Sequence, residues 1–322
     1  MTISHRTNAA HTPRRRALRL LAPLGVALLA GCTSLQHYAA DRVGDGLADS
    51  GTTFASDDDP DLIRDAAPFS LKLMESVLAD RPDHAPLLVA AAGGFTQYAY
   101  AFVQQDADEQ ESRDLAQASA LRRRARGLYL RARGYALRAL DVRHPGFRDE
   151  FARAPQRALD RLDAEDAAAL YWCSVAWAAS ISLSKDSARA IAALPKVDLM
   201  VTRLAKLDAS FDHGAFQSFL ISYDMAHPGA RAPERSARSH FERAVALSGG
   251  QRAAPYVALA ENVSEAAQDR RGFTVALDRA LAIDPDARPE WRLENLVMQR
   301  RARWLLSQTD QLFLAPLPGG AK

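Results

Sequence analysis

The stretch from Phe273 to Leu306 constrains the fold more than any other part of the chain. Its first half repeats apolar residues at the spacing of an amphipathic helix, namely Phe273, Ala276, Leu277, Ala280 and Leu281. Pro285 ends this helix because it pushes Asp284 out of the α region. Pro289 suits the first turn of a second helix, where its missing N–H costs nothing. One face of that helix holds Leu293, Leu296, Val297, Trp304 and Leu305. The stretch therefore predicts two helices joined by a short turn.

The same pattern, a helix that closes on an apolar residue before a polar or proline-containing turn, recurs upstream. The closing residues are Leu78, Leu140, Leu207, Leu247 and Ile283. The last two intervals suit single helix pairs of the length of a tetratricopeptide unit, roughly 34 residues. The first two intervals are longer and must contain an extra helix or loop. We therefore expect an all-α chain, in which residues 52–315 form irregular tetratricopeptide-like helical repeats in one compact body.

The first 31 residues have the features of a bacterial lipoprotein signal peptide. A run of arginines precedes the apolar stretch 17–30, which is too short to span a bilayer. That stretch ends in Leu29-Ala30-Gly31-Cys32, which resembles a lipobox. The resemblance implies cleavage before Cys32 and a lipid anchor on this residue. The alternative is an ordinary signal with an accidental cysteine. Residues 32–51 would then form a lipidated tether, and residues 316–322 a flexible tail.

The residue after Cys32, the net charge and the cysteine content limit where the protein is expected to lie and what it is expected to bind. Thr33 follows Cys32, and by resemblance to lipoprotein sorting this favours the periplasmic face of the outer membrane. Residues 1–31 hold five Arg and no acidic residue, so the formal net charge of +2 comes from the signal. The basic character therefore implies no nucleic-acid partner. Cys173 is the other cysteine, so neither an intramolecular disulfide nor a cysteine metal site is expected.

Two aromatic groups are the candidates for a ligand site. Paired glycines precede a face-aligned aromatic set, and a second set lies further along the chain: Gly93, Gly94, Phe95, Tyr98, Phe102, Tyr171 and Trp172. One interpretation is core packing in repeat helices. The other is the wall of a ligand passage, because paired glycines weaken a helix and leave room beside it. The acidic run 106–114 precedes a basic helix over 122–138, and we expect some ion pairs between them.

Three blocks carry a family resemblance: residues 54–78, residues 87–103, and the stretch from residue 280 to Leu306. They resemble the T component associated with tripartite ATP-independent periplasmic (TRAP) transporters. The resemblance implies an all-α lipoprotein with cryptic tetratricopeptide-like repeats and a homo-oligomer, a trimer. It also implies a periplasmic substrate-binding protein as partner and a passage for a ligand through each protomer. The stretch from residue 85 to residue 105 has no charged side chain, which favours a small, apolar ligand. No catalytic residues belong to the family, so neither enzymatic activity nor a cofactor or metal is implied.

Two other classes of function stay open. A periplasmic enzyme is disfavoured because the sequence has no GxSxG, HExxH or phosphate-binding loop. A generic outer-membrane assembly scaffold would share the repeats but lack an internal cavity. The last predicted helix combines Trp304 with Arg300, Arg301 and Arg303, and Trp291 precedes it. This mixture of residues suits a partner surface.

Overall fold

The computed structural model describes Thr2 and residues 41–314. Within these residues the regular elements are all helical, which confirms the predicted all-α class. The helices form one compact body. Their lengths are uneven, from four residues in the shortest to 29 in the longest, and the tetratricopeptide-like repeat stays a prediction. No helix among residues 41–314 is both long enough and apolar enough to pass through a membrane.

The first half of the body contains the longest helix and one π-helix. Residues 41–49 are helical and are called α1. The helices that follow are α2 (Gly51–Ala55), α3 (Pro60–Asp80), α4 (Ala85–Tyr98), the first π-helix (Ala99–Gln104), α5 (Gln105–Gln110), α6 (Leu115–Arg143), α7 (Phe147–Arg153), α8 (Pro155–Asp160), a 3₁₀ turn (Ala164–Asp166) and α9 (Ala167–Ser182).

The second half repeats the combination of α-helices with one π-helix. Its elements are α10 (Ala188–Ile191), α11 (Leu194–Leu207), α12 (Phe211–Ala226), α13 (Pro233–Ser248), α14 (Ala254–Ala258), the second π-helix (Leu259–Ser264), α15 (Arg270–Leu281), 3₁₀ turns (Pro285–Ala287 and Pro289–Trp291), α16 (Arg292–Ser307) and α17 (Thr309–Leu312).

Local chemistry explains where α3 begins. The carboxylate of Asp59 accepts hydrogen bonds from the backbone N–H groups of Asp61 and Leu62, both at 3.0 Å. Pro60 takes the first helical position, where it loses no hydrogen bond. The acidic residues before α3 thus act as a helix cap. Among the described residues, no group of His, Cys, Asp or Glu side chains is arranged to hold a metal ion.

Two large hydrophobic clusters form most of the core, and a third cluster of Ile221, Ala237 and Val263 joins α12, α13 and the second π-helix. The larger one joins α3, α4, α6 and α9 with parts of α11 and α12, and the smaller one joins α14, α15 and α16. The predicted hairpin lies in the smaller cluster, where Phe273 and Leu277 are fully buried. Tyr100, in the first π-helix, packs against both clusters.

The expected partner surface at the C-terminal hairpin is wrong for two of its residues. The side chain of Trp291 is buried, and so is that of Arg301. Trp291 lies within 5.6 Å of the His213 ring, measured between centroids. Both residues therefore make contacts inside the protein: Arg301 lies on α16, which links the two large clusters, and Trp291 lies in the turn directly before α16.

Candidate functional site

The short acidic helix α5 is held by arginines from three other helices. It follows the first π-helix directly, and π-helical turns occur frequently at functional sites. Its carboxylates on Asp106, Asp108 and Glu109 point to both sides of the helix, as their ion pairs show.

On one side of α5, Asp106 joins two distant parts of the chain. Arg64 of α3 donates two hydrogen bonds to this carboxylate, one from Nη2 to Oδ1 at 3.2 Å. Arg300 of α16 donates from Nη2 to the same Oδ1 at 2.9 Å and to Glu109 Oε2 at 2.9 Å. Two-pronged arginine contacts of this kind fix orientation as well as charge. Asp106 therefore ties α3 to α16 through α5.

On the other side, Asp108 lies between two more arginines. Arg122 of α6 donates to Asp108 at 3.0 Å and to Glu111 at 2.8 Å. Arg301 of α16 lies 3.1 Å from Asp108 and also binds Glu261 of the second π-helix. The two π-helical regions are thus connected through α5 and one arginine.

Arg301 stays charged although it is almost fully buried. Its side chain is 6% exposed. Burial by itself lowers the pKa of this guanidinium, but the charge and hydrogen bond of Glu261 raise the pKa above its ordinary value. Its guanidinium carbon also lies 4.4 Å from the centroid of the Trp304 ring, in cation–π geometry. The arrangement holds a fixed positive charge between the two cores.

Two open clefts adjoin this site and share Arg64 and Arg300. The first has a volume of about 390 Å³ and is bordered by apolar and cationic groups, among them Phe102, Val297 and Arg303. The second has a volume of about 540 Å³ and is mostly polar, with Asp106 and Glu109 in its wall. The Arg64–Asp106–Arg300 bridge stands where the two clefts meet. Arg303 is exposed and forms no ion pair with any described residue.

Of the predicted passage residues, Phe102 lines the first cleft. The guanidinium carbon of Arg64 lies 5.1 Å from the centroid of its ring. Tyr98 lies next to it, with ring centroids 5.7 Å apart, and is nearly buried. Phe95 is buried and stacks on Tyr135 at 5.8 Å. The structure thus brings Phe102 to the wall of the cleft and places all three aromatic side chains in the larger buried cluster.

The remaining passage residues pack between helices. A Cβ atom on Gly93 would lie 2.9 Å from Cε2 of Trp172, and one on Gly94 would lie 2.8 Å from Cδ2 of Leu71. Tyr171 lies 4.8 Å from both the Trp172 ring and the Phe211 ring, between centroids. The paired glycines therefore allow α4 to approach α9 and α3 closely. A ligand passage along these residues stays a prediction, and Cys32 lies outside the described residues.

Sequence reasoning found only part of the arginine contacts. The expected pairing of the acidic run with the following basic helix is confirmed for Arg122, which binds Asp108 and Glu111. Arg64, Arg300 and Arg301 were missed. Arg300 is 194 positions away from Asp106, and no local sequence pattern predicts a contact between residues that far apart.

Comparison with known proteins shows the family of this chain. The model of the TRAP transporter T-component family matches residues 56–313, which include α3 to α17. The chain belongs to this family, and its role is therefore tied to a TRAP transport system. A relative from Treponema pallidum (strain Nichols), named only as an uncharacterized protein, is 32% identical over 277 residues. The alignment covers 83% of this chain and 84% of that protein.

Proposed function

We propose that this protein is a non-catalytic lipoprotein component of a TRAP-type solute uptake system. The family match over residues 56–313 is the observation that carries the proposal. The lipobox-like sequence ending in Cys32 supports a lipid anchor, which would hold the helical body at the periplasmic face of the outer membrane. In this position the protein would meet solutes and binding proteins in the periplasm.

The proposed protein partner is a periplasmic substrate-binding protein, and the protein itself assembles as a homo-oligomer, a trimer. Family membership supports both parts of this proposal.

The proposed passage runs through the two clefts that share Arg64 and Arg300. Phe102 and Val297 supply an apolar wall, while Arg303 supplies a cation without an internal partner. Such a wall suits a small solute with an apolar body and one acidic group. An acidic solute would compete with Asp106 for Arg64 and Arg300. The Arg64–Asp106–Arg300 bridge would therefore take part in ligand transfer.

Isolation of the full chain from membranes tests the partnership. We expect a TRAP substrate-binding protein to co-isolate with the detergent-extracted, lipidated protein. Charge reversal at the cleft, Arg303→Glu, should weaken retention of an acidic solute without unfolding the protein, since Arg303 is exposed. Arg270→Glu, at an exposed ion pair on α15, serves as the control. Absence of any co-isolated binding protein under conditions that keep the chain folded would contradict the proposal.

A further inference from the structure

The Arg64–Asp106–Arg300 bridge stands where two clefts of different charge meet. The charged residues that line the first cleft are three arginines and one aspartate, namely Arg64, Arg300, Arg303 and Asp61. Those that line the second cleft are two arginines and two acids, namely Arg64, Arg300, Asp106 and Glu109. The first cleft therefore has an excess of positive charge, whereas the charges of the second cleft balance. A solute anion is consequently attracted to the first cleft.

Arg300 still has hydrogen-bond donors for a second carboxylate. It uses Nη2 for both Asp106 and Glu109, at 2.9 Å each, and its Nε and Nη1 groups donate to no described residue. A guanidinium has five N–H donors in total. Arg303 lies three positions later, on the same side of α16, and it is the exposed arginine without an internal ion pair described above. Arg300 and Arg303 together can therefore bind an acidic group before the bridge changes.

The bridge itself is open to exchange. The side chains of Arg64, Asp106 and Arg300 are 26%, 24% and 36% exposed, unlike the buried Arg301. Ion pairs with this much exposure contribute little to stability, and a second carboxylate makes the same kind of charge-assisted hydrogen bond. Replacing Asp106 by the carboxylate of a solute therefore costs little.

The neighbours of the bridge keep the helices in place during such an exchange. Arg64 stays beside the Phe102 ring, 5.1 Å from its centroid, and Glu109 still binds Arg300. The exchange therefore requires the movement of one side chain, that of Asp106, and not of a helix.

The apolar lining determines which end of a solute meets the bridge. The first cleft has apolar side chains from two helical segments, namely Ala101, Phe102, Leu296 and Val297. The second cleft is lined by Gln110 and Gln117 besides its charged residues and Leu121. An apolar body gains free energy when it leaves water in the first cleft. The acidic end of the solute is then the part that contacts the arginines.

We infer that the Arg64–Asp106–Arg300 bridge is a gate, which an acidic solute opens by taking the place of Asp106. The solute binds in the first cleft, where its acidic group first contacts Arg300 and Arg303, and this group then replaces Asp106 on Arg64 and Arg300. This inference rests on the proposed function and adds a separate task for each cleft. The first cleft selects an acid with an apolar body, and the second receives it after the exchange. A neutral solute of the same shape has nothing that displaces Asp106, so it leaves the gate closed.

A matched pair of probes tests the gate. The acid is 4-phenylbutyrate, and 4-phenylbutanamide is the neutral probe with the same apolar body. Both are titrated by calorimetry against the full, lipidated chain in lipid nanodiscs, and empty nanodiscs give the background. Asp106→Asn removes the competing charge and should bind the acid about fivefold more tightly than wild type. Arg303→Gln removes the first contact and should bind the acid about fivefold more weakly. The affinity for the amide should stay the same in both variants.

Asp310→Asn is the matched charge control. Asp310 is an exposed carboxylate that also pairs with an arginine, Arg270, and it lines neither cleft. Its substitution should leave the affinities for both probes unchanged. If circular dichroism shows that Asp106→Asn does not fold, Glu109→Gln replaces it. That variant removes the other carboxylate from Arg300, leaves the bond between Arg64 and Asp106 intact, and should bind the acid about twofold more tightly.

Four results would overturn the inference: acid binding by Asp106→Asn, or by Glu109→Gln in its place, that is no tighter than in wild type; an equal shift in the affinity for the amide; an equal effect of Asp310→Asn; or no acid binding in any variant. Co-isolation of the binding protein is scored on the same preparations. If it persists while acid affinity does not depend on Asp106, the gate is wrong and the proposed partnership stands. If it is absent while acid affinity changes as expected, the gate stands and the partnership is wrong.

Discussion

The backbone of Gly93 lies so close to the Trp172 ring that a Cβ atom there would stand 2.9 Å from Cε2 of the ring. Real Cβ contacts are not that short, so Gly93→Ala must displace the ring or separate α4 from α9. We expect the free energy of unfolding to fall by about 1–3 kcal/mol, although alanine favours helix. Equilibrium urea unfolding measures this change.

Gly127→Ala is the matched control for Gly93→Ala. Its new Cβ meets nothing within 4 Å, so only the helix propensity changes. We expect the free energy of unfolding to rise by up to about 1 kcal/mol. If both variants changed stability in the same direction, close packing against Trp172 would not be the reason for Gly93.

Tyr171→Ala and Phe95→Ala decide whether these aromatic side chains are core or passage. Tyr171 is 7% exposed and Phe95 is 3% exposed. On the core interpretation each truncation leaves a cavity and costs about 3–5 kcal/mol. Calorimetric or urea unfolding of both variants gives the answer. Costs well under 1 kcal/mol would instead indicate rings that border open space, as the passage interpretation requires.

Arg301→Met should destabilise the protein strongly. The substitution leaves the part-buried carboxylates of Glu261 and Asp108 without their shared cation, and breaking a buried pair in this way costs about 3–5 kcal/mol. Arg303→Met, two positions along the same helix, removes an exposed arginine and should change stability by less than about 0.5 kcal/mol. Adding Glu261→Gln to Arg301→Met should recover part of the loss. Equal effects of Arg301→Met and Arg303→Met would contradict a buried structural ion pair.

The environment of Glu75 predicts that the protein loses stability in acid. Burial by itself raises the pKa of Glu75, but hydrogen bonds from Lys72 and Tyr135 and the charge of Arg131 lower it below its ordinary value. A lowered carboxyl pKa stabilises the fold above the unfolded pKa of about 4.3, and this stability is lost as pH falls through the folded pKa. The free energy of unfolding, measured with urea at a series of pH values, should therefore fall less steeply with decreasing pH below about pH 5 in Glu75→Gln than in wild type. An unchanged slope would mean that Glu75 contributes nothing to the acid sensitivity.

Cys32→Ala tests the lipid anchor. If Cys32 is the acceptor, the variant should lose metabolic labelling by fatty acid and should keep an unprocessed signal. Cys173→Ala, at the buried second cysteine, should leave labelling intact. Full labelling of Cys32→Ala would place the anchor elsewhere.

The sequence was informative where structure depends on neighbouring residues. The helix from Phe273 and its proline turn were predicted correctly, because apolar period and proline geometry act over a few positions. The arginines that hold α5 were not predicted, because Arg64 and Arg300 come from helices that are distant in sequence. Gly93 was recognised as unfavourable for its helix. The reason for a glycine at this position, close contact with the Trp172 ring, arises only after α4 and α9 have packed together.

The π-helix before α5 sets the rotational phase of the acidic helix. Each residue in an α-helix advances the side-chain direction by about 100°, and a π-turn contains one residue more than an α-turn. If the same residues formed regular α-helical turns with none removed, every following side chain would swing by roughly that angle. Asp106 would then turn away from Arg64 and Arg300, and α3 would lose its connection to α16. One extra residue in the π-helix (Ala99–Gln104) thus determines which helices the acidic segment can join.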